Sequence, residues 1–245
     1  MKNRSLRTTM AWAMAGAALA GVAPTALAQA AADVASLYGP QPPADAAYLR
    51  VLNASAQPVK VVYTGGGPAQ TLAPRAATRY AVLRPGEPLS ATVDGRALSR
   101  TDSGSAKAAA GDYVTLAVLH DAHGWHASAI TARGDRIDGL KATLRAYNFA
   151  ANCGASIGIA GTGAGAGATV FGNLDEGNTA ARAINPVTAR LVGQCGSATS
   201  AAVTLPQLAA GDGYSLFVLG DAANPVLAGA RDALAWPPGA RQTNP

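Results

Sequence analysis

The chain has 245 residues, of which 49% are hydrophobic and only 13% charged, a balance that excludes an intrinsically disordered protein and supplies ample apolar surface for folded cores. Abundant Ala, Gly and Pro with few long charged side chains disfavour a helical bundle. The formal charge of +5 falls to about +2 once a basic leader is removed, which leaves no basic patch for nucleic acid.

That leader comes first. Lys2, Arg4 and Arg7 precede an apolar run from Met10 to about Val22, and Ala26-Leu27-Ala28 offers the small residues a signal peptidase reads. Residues 1–28 are therefore expected to be a signal peptide cut after Ala28. The run is shorter than the roughly 20 apolar residues of a membrane span, and nothing downstream approaches that length. The mature chain is expected to be exported, without a transmembrane segment, and the lack of a Cys after the cut argues against a lipid anchor.

Residues 29–47 form an N-terminal segment. Within it Leu37-Tyr38-Gly39-Pro40 sets a large aromatic residue in an otherwise loop-forming stretch, a candidate partner interface or a flap onto the first domain. From Tyr48 onward the strand signals are dense. Leu49 and Val51 alternate with Arg50, and Val59, Val61 and Tyr63 alternate with Lys60. Turn signals such as Thr64-Gly65-Gly66-Gly67-Pro68, Arg84-Pro85-Gly86 and Asp94-Gly95 separate them. Short strands, each with one apolar face, bury that face by packing two antiparallel sheets, so residues 48–133 read as a β-sandwich. The Ala-rich stretch from Asp102 to Ala110 reads as a loop.

The first domain closes on Ala110-Gly111-Asp112-Tyr113-Val114-Thr115-Leu116-Ala117-Val118-Leu119-His120-Asp121, a Gly-Asp turn followed by a buried strand. His120, His123 and His126 cluster at its end, where a hairpin turn is expected. Three imidazoles converging there would suit Zn²⁺ or Ni²⁺. The competing reading is a turn that happens to carry surface histidines. Asp121-Ala122-His123 also has the Asp-x-His spacing of some carbohydrate acetyltransferases and esterases, in which the acid orients the imidazole. No serine stands in a Gly-x-Ser-x-Gly or Gly-Asp-Ser block to serve as nucleophile.

Residues 134–141 read as a linker, residues 142–236 as a second domain and residues 237–245 as a C-terminal tail. The second domain repeats the first. Ala210-Gly211-Asp212-Gly213-Tyr214-Ser215-Leu216-Phe217-Val218-Leu219-Gly220-Asp221 matches the earlier block at seven of twelve positions. Tyr48-Leu49-Arg50-Val51-Leu52-Asn53 is echoed by Thr143-Leu144-Arg145-Ala146-Tyr147-Asn148. Such self-similarity predicts two copies of one architecture, that is, tandem antiparallel β-sandwiches. The offset drifts between the two blocks, and the run Gly161 to Gly167 is the expected insertion. That run superficially resembles a dinucleotide loop, but a strand follows it instead of the helix such a loop requires. Cys153 and Cys195 both lie in the second copy, and in an exported protein an even pair is expected to close a disulfide.

The Leu37-Tyr38-Gly39-Pro40 opening, the proline-containing spacer and the strand Leu49-Arg50-Val51-Leu52-Asn53-Ala54-Ser55 resemble the start of the AlgF family, periplasmic accessory proteins of bacterial alginate O-acetylation. The resemblance runs in length and order over nearly the whole mature chain. The cysteine pair, the histidine cluster and the glycine-rich insertion depart from it. It implies a periplasmic, noncatalytic adaptor without a cofactor, bridging a membrane-bound O-acyltransferase and periplasmic acetyltransferases. Two other readings stand beside it: a polysaccharide-binding module, against which the scarcity of aromatic residues counts, and an acetyltransferase or esterase using Asp121 and His123.

Overall fold

In the computed structural model the described residues are 42–101, 106–134, 140–161 and 166–236, and every regular element among them is a β-strand. The first half contains β1 (Ala47–Asn53), β2 (Val59–Tyr63), β3 (Gln70–Leu72), β4 (Tyr80–Leu83), β5 (Ala91–Val93), β6 (Arg96–Ala97), β7 (Ser99–Arg100), β8 (Asp112–Asp121) and β9 (Gly124–Arg133). The second contains β10 (Ala142–Asn148), β11 (Ala155–Ala160), β12 (Ala166–Leu174), β13 (Thr179–Ile184), β14 (Ala189–Cys195), β15 (Ala198–Thr199), β16 (Val203–Leu205), β17 (Gly213–Gly220) and β18 (Pro225–Arg231). A final short strand, β19 (Leu234–Ala235), crosses back to the first half and pairs with β4.

The expected all-β class is the one adopted, with one refinement. Hairpins such as β8–β9 and β17–β18 are antiparallel, but the central pair of each half, β1–β8 and β10–β17, is parallel. Parallel neighbours need a long crossover, which a helix commonly supplies. Here the strands of the companion sheet supply it. In the first half β19-β4-β1-β8-β9-β7 packs on β3-β2-β5-β6; in the second β13-β10-β17-β18 packs on β12-β11-β14-β15, with β16 beside β14.

Local sequence explains the turns. Asp94 and Gly95 both take positive φ, 50° and 80°, as the two-residue hairpin between β5 and β6 requires. In the repeated Gly-Asp turns the carboxylates of Asp112 and Asp212 accept the N–H groups of Ala109 and Ala209 at 2.8 Å, starting β8 and leading into β17 in the same way. β11 and β12 have 6 and 9 residues where β2 and β3 have 5 and 3, and residues 162–165 of the insertion expected at Gly161 to Gly167 lie outside the described residues.

Three apolar clusters hold these sheets. Leu49, Val51, Val61, Val93, Leu116 and Val118 fill the first sandwich, and Leu144, Ala146, Ile157, Leu191, Leu216 and Val218 fill the second. The third lies between the halves, where Leu52, Ala117 and Ile130 meet Tyr147, Phe217 and Ala228. The two sandwiches therefore stand back to back, giving four layers of sheet. This alters the expectation that each strand has one apolar face. In β1 and β10 six of seven residues are buried, because successive side chains point alternately into their own sandwich and into the other half.

Candidate functional site

Arg50 shows the consequence. It points away from the first core and, with the other half packed against it, is fully buried. Its Nε donates to Thr115 Oγ1 at 2.9 Å, and its Nη1 donates to Asp232 Oδ1 at 2.8 Å. Arg145, the repeat equivalent, donates from Nη1 to Asp232 Oδ2 at 3.0 Å. Ser215, equivalent to Thr115, donates its hydroxyl to Asp232 Oδ1 at 2.6 Å. In both halves the arginine lies directly beside the hydroxyl residue in the parallel ladder. One carboxylate thus joins both copies of the motif.

Two cations around one anion leave an excess positive charge, and aromatic faces take it up. The Arg50 guanidinium carbon lies 4.4 Å from the Tyr80 ring centroid, 4.8 Å from that of Phe217 and 5.3 Å from that of Tyr147. Arg145 sits 5.4 Å from the Tyr113 ring. Burial disfavours the Arg50 charge, but Tyr80, Asp232 and Tyr147 outweigh it and hold the group above its ordinary range. Burial also pushes the Tyr80 phenol well up, against the opposing pull of Arg50. Both therefore keep one protonation state at physiological pH.

The repeat breaks where the shared carboxylate enters. Tyr113 of the first copy corresponds to Gly213 of the second, and a Cβ at Gly213 would lie 2.8 Å from that of Asp232. The missing side chain makes room for the acid, while Tyr113 becomes the ring beneath Arg145. The repeated asparagines have a separate task. Asn53 Nδ2 donates to the carbonyls of Gln57, Leu72 and Ala73, and Asn148 Nδ2 to those of Cys153 and Leu174. Each ties the first strand of its half to the loops of the companion sheet.

Cys153 and Cys195 form a disulfide with Cα atoms 5.4 Å apart, joining the loop after β10 to the end of β14. It closes the second half against the loop that Asn148 holds, and a disulfide there fits an oxidising compartment. The residues Leu37, Tyr38, Gly39 and Pro40 lie outside the described residues, as do the expected signal peptide, residues 1–28, and the expected C-terminal tail, residues 237–245.

The histidine cluster occupies the β8–β9 hairpin, and its rings are spread by the ladder. His120 stands opposite Trp125, with ring centroids 4.6 Å apart, whereas His126 is on the next rung opposite Leu119 and so on the other face of the sheet. His123 is at the exposed turn. Among the described residues no three His, Cys, Asp or Glu side chains come together as a metal site. The Asp121 carboxylate accepts the backbone N–H of His123 at 2.7 Å, and its other oxygen lies 3.7 Å from His126 Nδ1. The Asp121 carboxylate thus caps the turn and approaches His126. Asp221 does the same in the second copy, accepting from Ala223 and Asn224 at 2.8 Å each, which holds its carboxyl below the usual range.

Beside this hairpin an open groove of about 1290 Å³ runs between the halves, bounded by β9 on one side and by residues around 148–151, 176–177 and 220–221 on the other. Sequence reasoning missed both this groove and the role of Asp232. The repeated Leu-Arg-x-x-Asn was the available signal for the arginines. Asp232 has no acidic counterpart in the first copy and carries no signal of its own.

No family model matches the chain, and neither does any curated protein. Among solved structures the chain is similar to the C-terminal domain of AlgF from P. aeruginosa, at 23% identity and a TM-score of 0.30 over 38% of this chain and 98% of that one. It is also similar to the family 26 carbohydrate-binding module of Eubacterium rectale Amy13K in complex with maltoheptaose, at 12% identity and TM-score 0.26 over 77% of this chain and 98% of that one. A Bacteroides ovatus protein described as a "putative cell adhesion protein" matches at 9% identity and TM-score 0.25 over 80% of this chain and 99% of that one.

Proposed function

We propose that the protein is a noncatalytic periplasmic adaptor of exopolysaccharide O-acetylation, of the alginate type, bridging a membrane-bound acyltransferase and periplasmic acetyltransferases. The observation that carries this reading is the clamp between the sandwiches. Arg50, Asp232 and Arg145 fuse two domains into one body, and a bridge needs its two outer faces held at a constant spacing. The strand Leu49 to Ser55, which bears the AlgF resemblance, contributes Arg50 to that clamp and Asn53 to the brace behind it. The Leu37 to Pro40 segment lies upstream of this strand in sequence and is the proposed docking element.

Two experiments test the proposal. Deleting the gene is expected to lower the acetyl content of the exported polymer, and unchanged acetylation refutes the assignment. Affinity capture of the mature protein is expected to recover acyltransferase components, with Tyr38→Ala reducing the yield. The esterase alternative predicts turnover of a chromogenic acetyl ester that is lost in His123→Ala; the adaptor predicts none in either form.

A further inference from the structure

Among the described residues four large hydrophobic side chains are exposed, and three of them, Leu140, Ile159 and Val187, lie at one end of the second sandwich. The ladders place them there. Ala142 pairs with Ile184, so Leu140 precedes β10 where β13 ends, and Val187 lies in the connection that leads from there to β14. Ile159 pairs with Leu191 near the start of β14, at the same end. The three are 84%, 43% and 48% exposed, while Ile184 and Ala189, which flank the connection, are half-buried against the core. The first sandwich seals the corresponding end. Its connection from β4 to β5 has seven residues, in which the N–H groups of Gly86 and Leu89 donate to the carbonyls of Ala108 and Ala106 at 2.8 Å each. That flap buries Leu89 to 7% exposure. Asn185-Pro186-Val187-Thr188 has only four residues, all exposed.

Charge then selects what meets this end. Lys141 follows Leu140, Arg190 follows Ala189, and Arg182 lies two residues before the end of β13; all three are exposed. Arg182 is held across to β12, donating from Nη1 to the Val170 carbonyl at 2.8 Å. Among the described residues the carboxylates at this end of the second sandwich are already taken, Asp212 by Arg231 at 2.9 Å and Asp232 by Arg50 and Arg145 in the interior. A second copy would set like charges against one another, which disfavours self-pairing. Aliphatic side chains flanked by Lys and Arg match an anionic bilayer, whose acyl boundary takes the apolar groups while its phosphates meet the cations. The three aliphatic residues are carried by separate segments and none lines the groove between the halves, so they present protruding ends that a bilayer accepts without a complementary shape. We infer that this end of the second sandwich is a contact site for an anionic lipid surface: Leu140, Ile159 and Val187 enter the interface, and Lys141, Arg182 and Arg190 hold the headgroups. The inference stands on this surface alone and not on the adaptor reading.

The test floats the mature protein with vesicles of equal parts phosphatidylethanolamine and phosphatidylglycerol, and with vesicles of phosphatidylcholine alone. Partitioning onto the anionic vesicles is expected to be at least about tenfold stronger and to weaken as salt is raised. Hydrogen exchange of the Val187 and Thr188 amides is expected to slow on binding. Leu140→Asp with Val187→Asp, and separately Lys141→Glu with Arg190→Glu, are expected to weaken partitioning at least about tenfold. Neither pair should lower the melting temperature, because all four positions are exposed. Val62→Asp, on β2 of the other sandwich and 42% exposed, is expected to change nothing. The inference is overturned if anionic vesicles recover no more protein than neutral ones, if either double variant binds like the parent, or if Val62→Asp loses as much as they do. A dimer in sedimentation velocity that Leu140→Asp with Val187→Asp disrupts would overturn it too, assigning the patch to a second copy. The vesicles hold no other protein, so their result is independent of polymer acetylation. Failure of the gene-deletion test and failure of flotation are therefore distinguishable.

Discussion

Replacing Asp232 by alanine removes the acceptor of three side-chain hydrogen bonds, from Arg50, Arg145 and Ser215, at 2.6 to 3.0 Å. Arg50 is fully buried and Arg145 nearly so, so two guanidinium groups are left in low dielectric without their anion. Breaking a buried ion pair from one side costs about 3–5 kcal/mol, chiefly from the charge left behind. Two stranded cations put this variant toward the upper end, tempered by the aromatic faces that still contact them. For a chain of this size that corresponds to a fall in melting temperature of roughly 10 °C. Arg50→Met provides the control. It leaves Asp232 paired with Arg145 and Ser215 and fills the space with an apolar chain, so it is expected to cost less than Asp232→Ala. Urea unfolding of the mature protein, which avoids the screening that guanidinium salts introduce, measures both. A loss below about 1 kcal/mol for Asp232→Ala, the scale of an exposed pair, or a larger loss for Arg50→Met, would refute the reasoning.

Reducing the Cys153–Cys195 bond, whose partners are 42 residues apart, is expected to cost the second half about 4 kcal/mol in the chain-entropy model. Melting with and without reductant measures this, and identical curves would contradict it. Gly213→Ala should drive a Cβ against Asp232 and destabilise by about 1–3 kcal/mol in the same urea assay, with nothing gained at the turn. Asn148→Ala strands the buried carbonyls of Cys153 and Leu174 and should cost about 2–3 kcal/mol; hydrogen exchange is expected to accelerate at the start of β11 before it does in the first half. The carboxyl of Asp212 is held low by the Ala209 N–H and by Arg231, as that of Asp221 is by the N–H groups of Asn224 and Ala223. A depressed folded pKa contributes stability that is present above the unfolded value and lost as pH falls through the folded one. Stability should therefore decline from about pH 4 downward, and the Asp212→Asn, Asp221→Asn double variant should flatten that decline in an acid titration.

Local chemistry determined much of this protein from its sequence. Period-two alternation and Gly-Asp, Asp-Gly and Pro-Gly turns act over a few residues, so the all-β class, the strands around Leu49, Val61, Val93 and Leu116, and the repeated architecture were legible in advance. Arg50 and Asp232 were decided by tertiary structure alone. On a strand, an arginine between two apolar residues reads as the outward side of a half-buried sheet, and nothing nearby in the chain indicates that another sheet will cover it. Its anion lies 182 positions away, at a position that is Ala132 in the first copy. The sequence left two readings of the histidines open, a convergent cluster or a turn bearing surface rings. Their density in sequence suggested convergence, whereas the alternation of side chains across the β8–β9 ladder sends His120 and His126 to opposite faces. Parity along a strand is written in the sequence; what each face meets depends on how whole sheets pack, and that is settled by burial of apolar surface summed over both halves.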